Sequence, residues 1–315
     1  MRISPAVLAC LVVFTLFGAG LSQAQPASDN GVCSRTARIA RTACGHDVMD
    51  NYEIEVGRCL NTADAAERGS CLAEAKAARV ESTQLCSEQF EARDDLCDRL
   101  GDAPYDPAFD PGDFVNPLQI GKSVAPNRFF PLIPGSQWVY RSPSELNTVE
   151  VLGRVVRIQG VSCTVVHDIV KQNGQTTEDT LDFFAQRVDG SVWYCGEQTQ
   201  EMENGRVVNV EGSWRAGVDE ARPGIIMQAV PRVGDTYRQE FLLGDAEDAA
   251  TNRSISASAT VPAASCSHTC LVTREFTPLE PDGREDKFYA PNIGLVLSVD
   301  RTNGERSELI RYRIP

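Results

Sequence analysis

The chain of 315 residues carries 44 acidic and 30 basic side chains, which gives a formal net charge of −14 at pH 7. This acidity argues against binding to nucleic acid or to an anionic membrane surface, because both partners are themselves negatively charged. An ordinary acidic protein and a protein that binds cations are the two classes that remain open.

The N-terminus predicts a secretory signal peptide. Arg2 precedes an apolar run over residues 6–21, and the triplet Ser-Gln-Ala follows at 22–24. A positive charge, a short apolar core and a small-x-small cleavage site are the three parts of such a signal. The run of 16 residues is shorter than the roughly 18 residues of a membrane-spanning helix. We expect cleavage after Ala24, a secreted or periplasmic protein without a membrane span, and a flexible N-terminus over residues 25–31.

Six cysteines between residues 32 and 100 are spaced symmetrically. The steps between them are 11, 15, 12, 15 and 11 residues, a series that reads the same in both directions. Two antiparallel helices joined by a turn near residue 65 would place the mirror-related cysteines at equal heights. Of the connectivities that six cysteines allow, this spacing favours one. The predicted disulfides are Cys33–Cys97, Cys44–Cys86 and Cys59–Cys71.

The segment 32–100 is therefore predicted to be a helical hairpin held together by disulfides. It contains few large apolar residues, so we expect the crosslinks to supply much of its stability, at about 2–4 kcal/mol for each bond. A cysteine-rich metal site is the alternative. Against it, the segment has no Cys-x-x-Cys and a single histidine, His46, which is a poor match to a zinc site.

Residues 101–130 have the composition of an extended linker. Aspartates alternate with prolines along its first part, and prolines favour extended backbone over helix. Calcium binding by the aspartates is an alternative, but they lack the spacing of an EF-hand loop. We expect this linker to lead into a second domain over residues 131–315.

The second domain is predicted to be an antiparallel β meander. Short apolar stretches alternate with dipeptides typical of hairpin turns, and no βαβ alternation is visible. The whole chain is thus α+β with separate domains, and about a dozen strands should curl into a curved sheet or half-open barrel. The segment 214–235 is predicted to be a long loop packed over the barrel mouth. The turn dipeptides are Asn173-Gly174, Asp189-Gly190, Asn204-Gly205, Asp282-Gly283 and Asn303-Gly304.

Six strings of the second domain occur in a fixed order. They are PLIPGSQWVY (131–140), GVSCTVVHD (160–168), GSVWYCGE (190–197), EGSWRAGVDEARPGIIM (211–227), VGDTYRQE (233–240) and FYAPNIGLV (288–296). With these strings the chain resembles a family of exported bacterial β-rich proteins that has no assigned function. The resemblance covers about residues 115–313 and leaves the hairpin outside. It implies no catalytic residue and no ligand, and Cys195, Cys266 and Cys270 depart from the family pattern.

Four cysteines remain in the second domain once the hairpin is paired. Cys266 and Cys270 flank His268, and these three residues would suit copper or zinc. In an oxidising compartment a Cys266–Cys270 disulfide is the more ordinary outcome. Cys163 and Cys195 are then expected to pair with each other.

Candidate ligand and catalytic residues lie in the same domain. The predicted ligand pocket is apolar and aromatic. Paired carboxylates near Glu197 and Glu201 would suit a hydrolase, with Glu203 close by, although solvated charge beside a turn also explains them. His167 and Asp168 are neighbours on one strand and point to opposite faces, so they cannot act as one acid–base couple. The pocket residues are Trp193, Tyr194, Trp214, Met227 and Tyr237.

The sequence thus favours an exported, non-enzymatic binding or interaction protein. Its partner would be an apolar or amphipathic ligand, or another protein, and no cofactor or resident metal is expected. A cell-envelope hydrolase that uses Glu197 and Glu201 is the first alternative. A copper or zinc carrier at Cys266, His268 and Cys270 is the second.

Overall fold

The computed structural model describes residues 31–315. The predicted signal peptide and most of the predicted flexible N-terminus therefore lie outside the described residues. No helix within the described residues is both long enough and apolar enough to cross a membrane.

Two antiparallel helices form the N-terminal hairpin, as predicted. Helix α1 covers Val32–Leu60 and helix α2 covers Ala65–Leu100. The side chain of Asp64 accepts hydrogen bonds from the backbone N–H groups of Ala66 and Glu67 and so caps the start of α2. Helix α2 ends at Gly101, whose φ of 87° leaves the helical region.

Disulfides join the two helices at three heights. The pairs are those that the symmetric spacing predicts, and their Cα–Cα distances are 5.7, 5.8 and 5.5 Å. These distances lie within the range that a disulfide bridges without moving the backbone. The predicted bonds Cys33–Cys97, Cys44–Cys86 and Cys59–Cys71 are confirmed.

The strands that follow belong to one antiparallel sheet. Their bounds are β1 Gln137–Arg141, β2 Glu145–Ile158, β3 Val161–Gln172, β4 Gln175–Gln186, β5 Val192–Glu203, β6 Arg206–Asn209, β7 Trp214–Arg215, β8 Arg222–Met227, β9 Thr236–Arg238, β10 Glu240–Phe241, β11 Ala249–Val261, β12 Ala264–Thr277, β13 Glu280–Ala290, β14 Gly294–Asp300 and β15 Arg306–Arg313.

The order of strands makes the sheet curl on itself. It runs β10-β8-β5-β4-β3-β2-β1-β15-β14-β13-β12-β11-β9, with β6 and β7 also paired to β5. Strands β9 and β10 stand at opposite ends of this order, yet only Gln239 separates them in the chain. The two edges of the sheet must therefore meet at Gln239. The predicted antiparallel meander in a curved sheet or half-open barrel is confirmed.

Most of the predicted turn dipeptides lie in turns, but one does not. Asn173-Gly174 and Asn204-Gly205 have positive φ at both residues, which is the geometry of a hairpin turn that suits twisted strands. Asp282-Gly283 lies inside β13 instead. The β12–β13 turn forms four residues earlier, after Thr277, where Pro278 supplies the fixed φ of a turn's second residue.

The segment predicted to be a long loop is partly strand. Within 214–235, β7 and β8 both pair with β5, and β8 also pairs with β10. The backbone edge of β5 needs hydrogen-bonding partners. The apolar stretch around Ile225 forms strand β8 and pairs with part of this edge.

The segment 101–130 lies along the sheet and contacts it at several points. The Tyr105 hydroxyl donates to the backbone oxygen of Pro223 at 3.1 Å, and Arg187 forms an ion pair with Asp113 at 2.5 Å. Phe109 and Phe114 pack on the ring of Trp193. These contacts cover the outer face of the sheet near β5.

Candidate functional site

The concave face of the sheet encloses a cavity of about 370 Å³. This volume lies within the range of small-molecule sites in proteins. Side chains from β1 to β5 form one side of the cavity, and side chains from β12 to β14 form the other side.

One part of the cavity wall is aromatic. The rings of Phe184 and Tyr194 are stacked at 4.7 Å between their centroids, and Phe130 lies 5.1 Å from Phe184. Trp138 donates from its indole nitrogen to the backbone oxygen of Ile293 at 2.7 Å. These rings are held in place by packing and by hydrogen bonds, so this wall of the cavity is formed before any ligand enters.

Another part of the wall is acidic. Six carboxylates from six different chain segments line it, and we call them the acidic cluster. Its members are Asp168, Asp182, Glu197, Glu240, Asp248 and Glu275.

A bulge in β5 brings Glu197 into this cluster. Near the turn, Phe184 is opposite Tyr194, but beyond Cys195 the register shifts by one residue and Asp182 is opposite Glu197. A bulge turns the following side chains to the other face of the sheet. At Gly196, which has a φ of 141°, a Cβ atom would stand 2.4 Å from the backbone oxygen of Trp214, so only glycine fits this bulge.

Burial raises the pKa of several members of the acidic cluster. Burial first, and the nearby charges of Asp182 and Glu178 second, raise the pKa of Asp168 to about 8. Burial likewise raises the pKa of Asp182 to about 6, although the Tyr194 hydroxyl that donates to it at 2.6 Å opposes this. The pKa of Glu197 rises to about 7 through burial and the charge of Asp182. These carboxyl groups thus bind protons at pH values where free carboxyl groups have lost them.

Lys287 is the one cation among the described residues that line the cavity. Its ammonium group lies 2.6 Å from Glu275 and 3.3 Å from Glu285. Burial alone would lower the pKa of Lys287, but these two carboxylates raise it well above its usual value. Lys287 therefore neutralises the β12–β13 side, and the carboxylates on β3, β4, β5 and β10 lack a cationic partner.

No family model matches this chain, and no curated protein or solved structure matches it either. The function must therefore be argued from the cavity itself.

Of the five predicted pocket residues, only Tyr194 lines the cavity. Adjacent residues of a strand point to opposite faces, so Trp193 points outward and packs against Phe109 and Phe114. Trp214 packs edge-on behind Tyr194, at 5.3 Å between their ring centroids. Met227 and Tyr237 are buried in the domain but do not line the cavity.

The predicted carboxylate pair is not a pair in the structure. Glu197 lines the cavity, but Glu201 and Glu203 are exposed near the end of β5. The side chain opposite Glu197 is Asp182. His167 interacts with Asp179 at 2.8 Å, away from the acidic cluster. The sequence signal for Asp168 and Asp182 is an acidic residue at a position where the alternation of a strand predicts an apolar one.

The cysteines of the β domain follow one prediction and depart from the other. Cys266 and Cys270 form a disulfide, so neither thiolate is available to a metal beside the exposed His268. Cys163 and Cys195 are buried and not bonded to each other. Their side chains nevertheless lie within hydrogen-bonding reach of each other, and burial first, and this contact second, raise the pKa of Cys195 well above its usual value. The predicted Cys163–Cys195 disulfide is not formed in this structure.

The protonated carboxyl groups predict that stability falls as pH rises. A carboxyl group with a raised folded-state pKa contributes stability that is fully present below its unfolded pKa and is lost as pH approaches the folded value. For Asp168 this window runs from about 3.8 to about 8. We expect the free energy of unfolding in urea to be lower at pH 8.5 than at pH 5, by an amount on the order of a few kcal/mol.

The variant Asp168→Asn isolates this effect, because an amide does not titrate. Its unfolding free energy should change less between pH 6 and pH 8 than that of the unmodified protein. Equal pH dependence in the two proteins, or higher stability at pH 8.5 than at pH 5, would contradict the assignment.

Proposed function

We propose that this chain is an exported, non-enzymatic binding protein whose β domain holds an amphipathic small molecule in its interior cavity. The observation that carries the proposal is a cavity of about 370 Å³ whose wall has an aromatic part and an acidic part. A ligand with an apolar body and a polar end would contact both parts at once. A protein partner would instead bind to an exposed surface. The cavity is an interior feature and does not favour a protein partner.

Export to the periplasm or the medium is part of the same proposal. The signal-peptide pattern at residues 1–24 supports it. The four disulfides support it as well, because such bonds persist in oxidising compartments. The resemblance of residues 115–313 to exported bacterial proteins agrees with this location.

Calorimetry with simple probes tests the binding function. The probes are octan-1-ol, octylammonium and octanoate, which share one eight-carbon chain and differ in the polar end. We expect at least one of them to bind, and Val149→Phe, which places a ring in the cavity, to weaken that binding at least tenfold. Thr148→Phe is the matched control, because its side chain lies on the outer face of the same strand and should leave the affinity unchanged. Failure of all three probes, or equal weakening by both variants, would overturn the proposal.

A hydrolase remains the second candidate because of one observation. Asp182 and Glu197 lie directly opposite each other on β4 and β5, and directly opposite residues have Cβ atoms about 4.5–5.5 Å apart. Their pKa values of about 6 and about 7 suit an acid and a base near neutral pH. Turnover of aryl glycosides that is lost in Glu197→Gln and kept in Glu201→Gln would favour this candidate. Absence of turnover in the unmodified protein would remove it.

A further inference from the structure

The charge of the cavity bears on the kind of polar end that a ligand carries. Of the six members of the acidic cluster, only Glu275 has a cationic partner, Lys287. Asp182 accepts from the Tyr194 hydroxyl and Glu197 from the hydroxyl of Thr199, and both donors are neutral. At pH 7.5 Asp182 and Glu197 are above their pKa values of about 6 and about 7, so an anionic ligand would be repelled by their charges, whereas a cationic one would be attracted.

Two unsatisfied polar groups point to a missing hydrogen-bonding partner inside the cavity. The Oδ1 atom of Asp168 is buried and accepts no hydrogen bond. The Gln239 side chain is only 2% exposed, lines the cavity, and has an amide nitrogen without a partner. Buried polar groups are normally paired. A ligand N–H group would donate to Asp168, and the amide nitrogen of Gln239 would donate to an acceptor on the ligand such as a hydroxyl oxygen.

Gln239 also occupies a special place in the fold. It is the single residue between β9 and β10, where the two edges of the sheet meet. Gly224 packs closely against this residue. A Cβ atom added at position 224 would stand 2.3 Å from the backbone carbonyl carbon of Gln239. The backbone that carries the unpaired amide is therefore fixed, and Glu240 follows directly on it.

The spacing of the carboxylates favours an organic cation over a metal ion. Within residues 31–315, the one group of three candidate ligand atoms that lie within 4.8 Å of one another is Cys33, Cys97 and Asp102, which belongs to the hairpin. Its two cysteines are joined in a disulfide and cannot act as thiolate ligands. In the cavity, the carboxylates surround a volume large enough for an ammonium group with its carbon chain. The stacked rings of Tyr194 and Phe184 lie beside them and would contact the carbon chain of such a ligand.

We infer that the ligand of this cavity is an amphipathic organic cation, with an ammonium group held by Asp182, Glu197 and Asp168 and an apolar body against the aromatic wall. This inference rests on the proposed binding function and narrows it to one class of ligand. The ligand's N–H groups would donate to the carboxylates. Lys287 would stay paired with Glu275 and take no part in binding.

The three eight-carbon probes test this inference when their affinities are compared at pH 7.5 by calorimetry. We expect octylammonium to bind at least tenfold more tightly than octan-1-ol, and octanoate to bind most weakly. The double variant Asp182→Asn with Glu197→Gln should lose at least tenfold in affinity for octylammonium and keep its affinity for octan-1-ol, which checks that its cavity is intact. Glu201→Gln, on the exposed end of the same strand, should behave like the unmodified protein.

The outcomes separate the two proposals. Equal affinity for octan-1-ol and octylammonium would overturn the cation assignment and leave the binding function standing. Tighter binding of octanoate than of octylammonium would also overturn it. Failure of all three probes would overturn the binding function itself, and the cation assignment with it.

Discussion

Reduction of the three hairpin disulfides is expected to unfold helices α1 and α2. Their buried residues include few large apolar side chains, chiefly Val48 and Leu96. Each disulfide contributes about 2–4 kcal/mol, so the loss of all three removes roughly 6–12 kcal/mol. That amount is comparable to the whole stability of a typical domain, which is about 5–15 kcal/mol. The hairpin has little else to hold its helices together.

Circular dichroism at 222 nm measures this loss. Full reduction should remove most of the helical signal, because α1 and α2, with 29 and 36 residues, are the α-helices of the described chain. The matched control is Cys266→Ser with Cys270→Ser, whose disulfide closes a separation of only 4 residues. This variant should keep its helical signal under oxidising conditions. An unchanged signal in protein whose hairpin thiols are all shown to be reduced would contradict the prediction.

The hairpin could be predicted because its information is local and repeated. The mirror spacing of six cysteines fixes the pairing, the helix directions and the position of the turn together. Asp64 and Gly101 then mark the start and the end of the second helix by ordinary capping chemistry. The strands could also be predicted, from turn dipeptides such as Asn173-Gly174. Asn and Gly readily adopt the positive φ that a hairpin turn requires, and both have positive φ here.

The cavity could not be predicted in the same way, because it depends on register. Counting outward from the β4–β5 turn without a bulge would pair Asp182 with Gly196 and point Glu197 to the outer face. The one-residue shift after Cys195 reverses this. Alternation along a strand also gives two faces without saying which of them is concave. The choice between Trp193 and Tyr194 as a pocket residue therefore needed the curvature of the sheet.

The packing of the hairpin on the β domain could not be predicted from the sequence for a related reason. The contact joins Arg93 of α2 to Glu247, 154 residues later in the chain. The Arg93 Nε atom lies 2.9 Å from one carboxylate oxygen of Glu247, and Nη2 lies 2.7 Å from the other. Arg93 is 5% exposed and Glu247 is 1% exposed. Both residues are charged, and nothing in their local sequence predicts that they are buried.

Removal of one member of this pair is expected to destabilise the protein strongly. A buried ion that loses its partner costs about 3–5 kcal/mol, because the remaining charge stays out of water. We expect Arg93→Met to lower the free energy of unfolding in urea by an amount of this size. The control is Asp95→Asn, which breaks the exposed pair with Arg99 on the same helix and should cost no more than about 0.5 kcal/mol. Equal effects of the two substitutions would contradict a buried docking contact.

The two members of the pair should not be equivalent. Arg238 lies close to both residues, since its own pKa is lowered first by burial and also by the charge of Arg93, while Glu247 opposes this. Glu247→Gln would therefore leave two buried guanidinium groups facing each other without a carboxylate. It would also weaken the bond that Glu247 accepts from the backbone N–H of Gly244 at 2.8 Å. We expect Glu247→Gln to destabilise the protein more than Arg93→Met does, and Arg93→Met combined with Glu247→Gln to be less damaging than the sum of the two. A double variant whose cost equals that sum would mean that the two side chains do not interact.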